Sequence, residues 1–192
     1  MKNIFESGDF AHFRTDDLTK SRGPIEIKHS FYGSNKTAVF ISHKHDELDE
    51  LRNIIGFLEN TYNVKCYIDS RDPSLPKTTS GETAKRIKER IQGCNKFILI
   101  ATDAAVESKW CNWELGYGDA SKTLSNVAIF PIKKKNTYIY KGNEYLSIYS
   151  SISYYGNGEY YDTGTPITPG YYVLTRKDEH NYITPLSSWL NS

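Results

Sequence analysis

Trp110 and Glu114 stand four residues apart in the run Glu107-Ser108-Lys109-Trp110-Cys111-Asn112-Trp113-Glu114-Leu115. On a helix that spacing puts an indole and a carboxylate on one face, while Cys111 and Leu115 share another. A ring beside an acid partly desolvates it and offers an aromatic plane to a flat heterocycle. The same spacing also suits a tryptophan that caps the core and a glutamate that is simply solvated. A second polar group is Ser42-His43-Lys44-His45. A phosphate can lie there, neutralised by Lys44 with either histidine; alternatively the group is a polar turn in which Ser42 or Asp46 caps the next helix. Asp69 and Arg71 are candidates for ligand contact, although an Asp that ends a strand also ties down its own loop. Ser108 has no identifiable base beside it and reads as a cap or turn residue rather than a nucleophile.

These residues need elements to hold them. Ala38-Val39-Phe40-Ile41 is a short apolar run suited to a buried strand, and Val64–Ile68, Lys96–Ile100 and Val127–Ile132 repeat the pattern. Between the first two lies a helical stretch with Leu48, Leu51, Ile55 and Leu58 at spacings of three and four, its first turns crowded with acids. Ala84, Ile87 and Ile91 mark a second helix over 82–92, and a third is predicted over 105–120. Strand and helix alternating at this spacing imply a parallel sheet covered on both faces, with ligands at the carboxyl ends of its strands. Those ends are Ser42–Lys44, Thr102–Ser108 and the polar loop Asp69–Ser80. Residues 1–36 read as an irregular arm with at most one short helix around 9–19, and turns at 21–24 and 33–35. Residues 133–192 hold eleven of the fifteen tyrosines. Within them 137–140 and 171–174 read as short strands and 186–190 as a terminal helical turn. The division expected is therefore an arm (1–36), a core (37–132) and an extension packed on it (133–192).

Composition narrows the function classes. At 192 residues the chain fits one domain with decorations. Lys plus Arg is 24 against 23 for Asp plus Glu, and no segment holds a marked basic excess, so a nucleic-acid face is not expected. Lys133-Lys134-Lys135 is too short a run for a membrane or nucleic-acid surface. Cys66, Cys94 and Cys111 are odd in number, well separated and set in or beside apolar runs, which argues against a disulfide framework or a zinc site. No window approaches the roughly 20 apolar residues of a membrane span, and no signal peptide is visible. A cytoplasmic location with no membrane association is expected.

The order of the motifs adds a resemblance. Val39-Phe40-Ile41-Ser42-His43, then Tyr67-Ile68-Asp69 with its loop to Gly81-Glu82, then Phe97–Ile100, then Ser108-Lys109-Trp110-Cys111-Asn112-Trp113-Glu114-Leu115 resembles the TIR domain throughout. The match covers about residues 37–132, and its specific part is Ser-x-Trp-Cys-x-x-Glu-Leu. Two departures stand out: His43 where tyrosine is common, and Pro73-Ser74-Leu75-Pro76 in place of an acidic, glycine-bearing stretch. The resemblance implies a flavodoxin-like α/β fold with helices on both faces of a parallel sheet. It also implies NAD+ as substrate with no further cofactor and no metal. Glu114 would be the catalytic residue and Trp110 would line the same pocket; Ser42, His43, Lys44, Asp69, Arg71 and Ser108 remain candidates for substrate contact by their positions alone. Self-association through Asp69–Ser80 is implied too.

Breaking the nicotinamide–ribose bond passes through an oxocarbenium-like state, which an anionic Glu114 can stabilise. Nicotinamide leaves as a neutral base, so one carboxylate suffices where ordinary glycosidases need two. Attack by water gives ADP-ribose; attack from within the same molecule gives a cyclic isomer. A TIR domain with little else resembles the TIR proteins of Thoeris anti-phage systems, which make a diffusible signal for a separate effector. The alternative is a non-catalytic TIR module that works by self-association.

Overall fold

Side chains on successive residues of a strand point to opposite faces, and that alternation divides the interior in two. Val39, Ile41, Ile98, Ile100 and Phe130 belong to one buried cluster. Ala38, Phe40, Phe97, Leu99 and Ile129 belong to the other. Each face needs its own helical cover, as the unbroken apolar runs required. The computed structural model describes residues 1–15, 36–69 and 80–192.

In chain order the elements are β1 (Phe5–Glu6), β2 (Ala38–Ser42), α1 (Leu48–Tyr62), β3 (Lys65–Tyr67), α2 (Gly81–Gly93), β4 (Lys96–Ala101), α3 (Asp103–Glu107), α4 (Lys109–Ser121), β5 (Val127–Lys133), β6 (Ser150–Tyr155), β7 (Gly170–Lys177), β8 (His180–Pro185) and α5 (Leu186–Leu190). The sheet runs β3-β2-β4-β5-β6-β7-β8, parallel from β3 to β6 and antiparallel thereafter. The parallel part follows the flavodoxin-like order, in which chain direction reverses on either side of β2. The fold is therefore α/β and flavodoxin-like, with α1 and α5 on one face and α2 and α4 on the other.

Two glycines record how closely the cover sits. A Cβ on Gly118 of α4 would lie 2.9 Å from the Phe97 ring, so this helix reaches the sheet only with glycine there. A Cβ on Gly56 of α1 would overlap the carbonyl oxygen of Phe13, at 1.9 Å, so the N-terminal segment crosses α1 at backbone contact. Helix α1 ends at Asn63, whose left-handed conformation (φ 56°) lets the chain turn directly into β3.

Several sequence expectations change. The first fifteen residues are not wholly an arm. Phe5 and Phe10 are buried, and β1 pairs in parallel with the end of β5 at Ile132 and Lys133. Both rings meet Tyr171, and Phe10 also meets Phe57. The helix around 9–19 is a single 3-10 turn, Ala11–Phe13, as far as residue 15; its remainder and the turns at 21–24 and 33–35 lie outside the described residues. The helix expected over 105–120 is two helices, because Ser108 leaves α3 in an extended conformation and caps α4. Residues 137–140 form no strand. Instead Tyr140 donates its hydroxyl to the carbonyl of Ala101, while Tyr138 and Ile139 are exposed. The parallel sheet also continues past residue 132 through β6, whose sequence Ser-Ser-Ile-Ser-Tyr-Tyr lacks the apolar run that marks β2, β4 and β5.

Candidate functional site

Helix α4 carries Glu114 on the face turned to the sheet, one turn beyond Trp110. Its start is fixed by Ser108, whose hydroxyl accepts from the Cys111 amide at 3.4 Å. Cys111 in turn donates its thiol to the carbonyl of His43 at 3.3 Å, which ties α4 to the turn after β2. Asn112 braces the same helix against α3 through the carbonyl of Val106 (3.0 Å), and Tyr145 donates to its side-chain oxygen. So positioned, Glu114 is 1% exposed and lies against the last residue of β2: the Ser42 hydroxyl donates to Glu114 Oε2 at 2.6 Å.

The carboxylate is only half satisfied. Glu114 Oε1 is buried with no hydrogen-bond partner, and so is the indole nitrogen Nε1 of Trp110. A buried acid with an unmade hydrogen bond is costly to ionise. Desolvation is the main reason that Glu114 titrates well above the ordinary carboxylate range, and the neighbouring Asp69 charge adds to it. The Ser42 hydroxyl pulls in the opposite direction, and the Trp110 indole N–H adds to that pull from close by while falling short of hydrogen-bond geometry. Trp110 stacks obliquely on Trp113, with ring centroids 4.9 Å apart, and Trp113 continues towards Tyr117 with Lys88 over both rings.

Asp69 follows β3. Register pairs Phe40 with Tyr67 across β2 and β3, so the chain leaves both strands at the same end of the sheet and Asp69 follows two residues after the last β3 residue. Asp69 is buried, and its Oδ2 lies 3.2 Å from Nε2 of the half-exposed His45. The Asp69 hydrogen bond is the chief reason that the His45 imidazole holds its proton to higher pH than usual. His43 is buried with Nδ1 3.4 Å from the Ile41 carbonyl, and its ring meets that of His45 edge to face at 5.5 Å. Lys44 turns outward towards Asp46, 4.0 Å away.

Of the residues singled out by sequence, the structure thus brings Ser42, Asp69, Trp110 and Glu114 to the carboxyl end of β2. His43 is in the same turn with its side chain in the interior. Lys44 makes a solvent-side pair, and Ser108 is engaged as the cap of α4. Arg71, and the loop 70–79 expected to mediate self-association, lie outside the described residues. Sequence reading grouped His45 with a phosphate site; its partner is a carboxylate, and only the register of β2 on β3 reveals that. Cys111 as the tie between α4 and β2 also carried no signal beyond its place in an apolar run.

A cavity of about 260 Å³ opens at the same end of the sheet, between α1, the start of α3 and the end of β5, with Glu47, Glu50, Thr102 and Lys133 in its wall. None of Ser42, Asp69, Trp110 or Glu114 lines it. Glu47 is held there by the Thr102 hydroxyl at 2.5 Å. Among the described residues no group of three His, Cys, Asp or Glu is arranged to hold a metal ion, and no helix is long and apolar enough to cross a membrane.

Comparison with known proteins agrees with this architecture. The family model of the TIR domain matches residues 39–160. A protein of Bacillus cereus strain MSX-D12, named probable 3' cyclic ADP-D-ribose synthase ThsB', is 31% identical over 147 residues, which cover 74% of this chain and 73% of the relative. A flavodoxin-like sheet, a family match over most of its length and a relative alike across both chains lead to one conclusion: the protein belongs to the TIR-domain family.

Proposed function

We propose that this protein is an NAD+ nucleosidase of the ADP-ribosyl cyclase type, which breaks the nicotinamide–ribose bond of NAD+ and closes the remainder into a cyclic ADP-ribose isomer. The observation that carries this reading is the buried carboxylate of Glu114, held by Ser42 through one oxygen and left without a partner on the other. The cyclic product is supported by the Bacillus cereus relative, which is named a probable 3' cyclic ADP-D-ribose synthase.

The chemistry follows from the charge of the substrate. A buried acid that resists ionisation by itself is driven towards its anion when a cationic pyridinium enters beside it. Glu114 Oε1 is then available to a ribose hydroxyl, and the indole of Trp110 offers a plane to the nicotinamide ring. As the C1'–N bond breaks, its electron pair passes to the ring nitrogen and nicotinamide departs neutral. The positive charge left on the ribose faces the carboxylate. A nucleophilic oxygen or nitrogen of the same molecule attacks C1' and releases a proton, giving the cyclic product; water in its place gives ADP-ribose. Exclusion of water favours cyclisation.

In this reading the product is a diffusible signal, made from cytoplasmic NAD+ in bacterial anti-phage defence and received by a separate effector. Self-association through Asp69–Ser80 completes the site, so the rate per protomer rises with protein concentration. The test is incubation of purified protein with NAD+, with nicotinamide, ADP-ribose and cyclic products resolved chromatographically. Nicotinamide release by wild type and its loss in Glu114→Ala are expected. Equal turnover by the two proteins would overturn the assignment and leave a TIR module acting by association alone.

A further inference from the structure

The chain beyond β5 takes no part in the reaction above, yet one stretch of it is fastened to the helix that carries Glu114. This is the 3-10 turn Glu144–Ile148 with the tyrosine that follows it. Leu146 is buried in the same apolar cluster as Cys111 and Leu115 of α4, and Tyr145 and Tyr149 pack on that cluster. Both tyrosines then end on polar side chains of α4. Tyr145 donates to Asn112 Oδ1, and Tyr149 donates to Asp119 Oδ2 at 3.3 Å. Asn112 and Asp119 are seven residues apart, so they share one flank of the helix and stand two turns, or roughly 10 Å, from each other. The other flank is held by α2, where Gln92 Nε2 donates to the Tyr117 hydroxyl at 2.7 Å.

Two fixed points on one flank and one on the other stop a helix from rolling on the sheet, and roll is the motion that carries Glu114 away from Ser42. The helix needs such a hold because α4 does not continue α3: the chain is extended at Ser108 between them. The turn is itself anchored upstream. The Tyr140 hydroxyl donates to the Ala101 carbonyl at 2.9 Å, and the Lys141 amide donates to Asp103 Oδ1 at 3.1 Å, which ties the incoming chain to the end of β4 and the start of α3.

We propose that Tyr145 and Tyr149 are positioning residues for Glu114, setting the roll of α4 so that the carboxylate meets the Ser42 hydroxyl at 2.6 Å. This rests on the reading of Glu114 as the working carboxylate. Tyr145 has the larger part, because Asn112 lies between Trp110 and Glu114 in the chain, whereas Asp119 lies more than a turn beyond Glu114. A slack α4 keeps every group of the site but misaligns them, and a misplacement of about 1 Å can cost on the order of 100-fold in rate.

Tyr145→Phe and Tyr149→Phe keep the ring and its packing and remove only the hydroxyl. Tyr172→Phe is the control, since its hydroxyl donates to the Thr168 carbonyl at 2.7 Å, a bond made wholly beyond β5. Each variant loses one neutral hydrogen bond, so all three should unfold at similar urea concentrations. With NAD+, kcat is expected to fall about tenfold in Tyr145→Phe and about threefold in Tyr149→Phe, with KM little changed, and to stay at the wild-type value in Tyr172→Phe. In a Ser42→Ala background Tyr145→Phe should have little further effect, because the bond it disturbs is already gone. A second readout needs no turnover. The Glu114 carboxyl, followed by 13C NMR in glutamate-labelled protein and assigned by its loss in Glu114→Gln, should titrate at higher pH in Tyr145→Phe than in wild type, since the Ser42 hydroxyl favours the anion. Equal Glu114 midpoints in Tyr145→Phe and wild type, a Tyr172→Phe rate as low as that of Tyr145→Phe, or losses in Tyr145→Phe and Ser42→Ala that add in full would each overturn the proposal. Failure of the reaction reading looks different: the NMR shift is present while wild type releases no nicotinamide.

Discussion

Two buried charged side chains lie at opposite ends of the same sheet, and they are finished differently. Lys96, at the start of β4, is 1% exposed, but its ammonium donates to Asn126 Oδ1 at 2.5 Å and Ser192 Oγ at 2.9 Å and sits 4.9 Å from the Trp189 ring. Glu114, beside the carboxyl end of β2, is equally buried and keeps one oxygen unpaired. Burial pushes both groups towards their neutral forms. The partners distinguish them: a buried charge with its bonds made holds structure together, whereas one left short of a bond can accept a ligand.

The sharpest way to break that comparison is to remove each group in turn. Glu114→Gln should lower nicotinamide release by about 100-fold or more, the scale of losing an electrostatic stabiliser of the transition state, while urea unfolding shows no loss of stability. Lys96→Ala should do the reverse. It strands Asn126 and Ser192 and opens a cavity, costing about 2–4 kcal/mol in urea denaturation, with turnover per folded molecule retained.

The pH dependence of stability sharpens the contrast further. Glu114 has its folded pKa raised, so its contribution is complete below the unfolded value and is lost as pH rises through the folded one. The stability of Glu114→Gln relative to wild type should therefore increase from about pH 4.5 upward, measured as the difference in denaturation midpoints across a pH series. A flat difference would mean that Glu114 is not desolvated as its burial indicates. Ser42→Ala probes the one bond that Glu114 does make. That hydroxyl favours the anion, so its loss should shift the acid limb of kcat/KM to higher pH, with a roughly tenfold lower rate on that limb. The smallest effect is expected from Ser108→Ala, which removes the cap of α4 and should cost about 1 kcal/mol in thermal or urea unfolding.

How much of this was legible beforehand depends on what each residue type announces. The Trp110–Glu114 pair announced itself through helical spacing, and Ser42 through its place at the end of an apolar run. Strands β2, β4 and β5 were legible for the same reason, since a strand buried on both faces must be apolar throughout. β6 was not, because its buried positions include Ser150 and Ser153, which interrupt the apolar run that would have marked it. β1 has two residues, too few for any period to show. The alkyl stem and ammonium of Lys96 resemble those of any strand-edge lysine until Trp189 and Ser192 fold back over them, ninety-odd positions away in sequence. The His45–Asp69 contact depends on strand register, which no single segment encodes.

The aromatic contacts of the N-terminal segment bear on the order in which the chain matures. Phe5 and Phe10 pack against Phe130, and Phe10 also against Phe57, but both complete their surroundings against Tyr171, and Lys2 exchanges backbone hydrogen bonds with Tyr154. This segment therefore completes its packing late, because the last of the surfaces that receive it lie more than 150 positions downstream. At roughly 5–20 residues per second that delay lasts on the order of ten seconds. Two phenylalanines stay only partly covered until its end, which leaves the nascent protein open to chaperones and to aggregation over this interval.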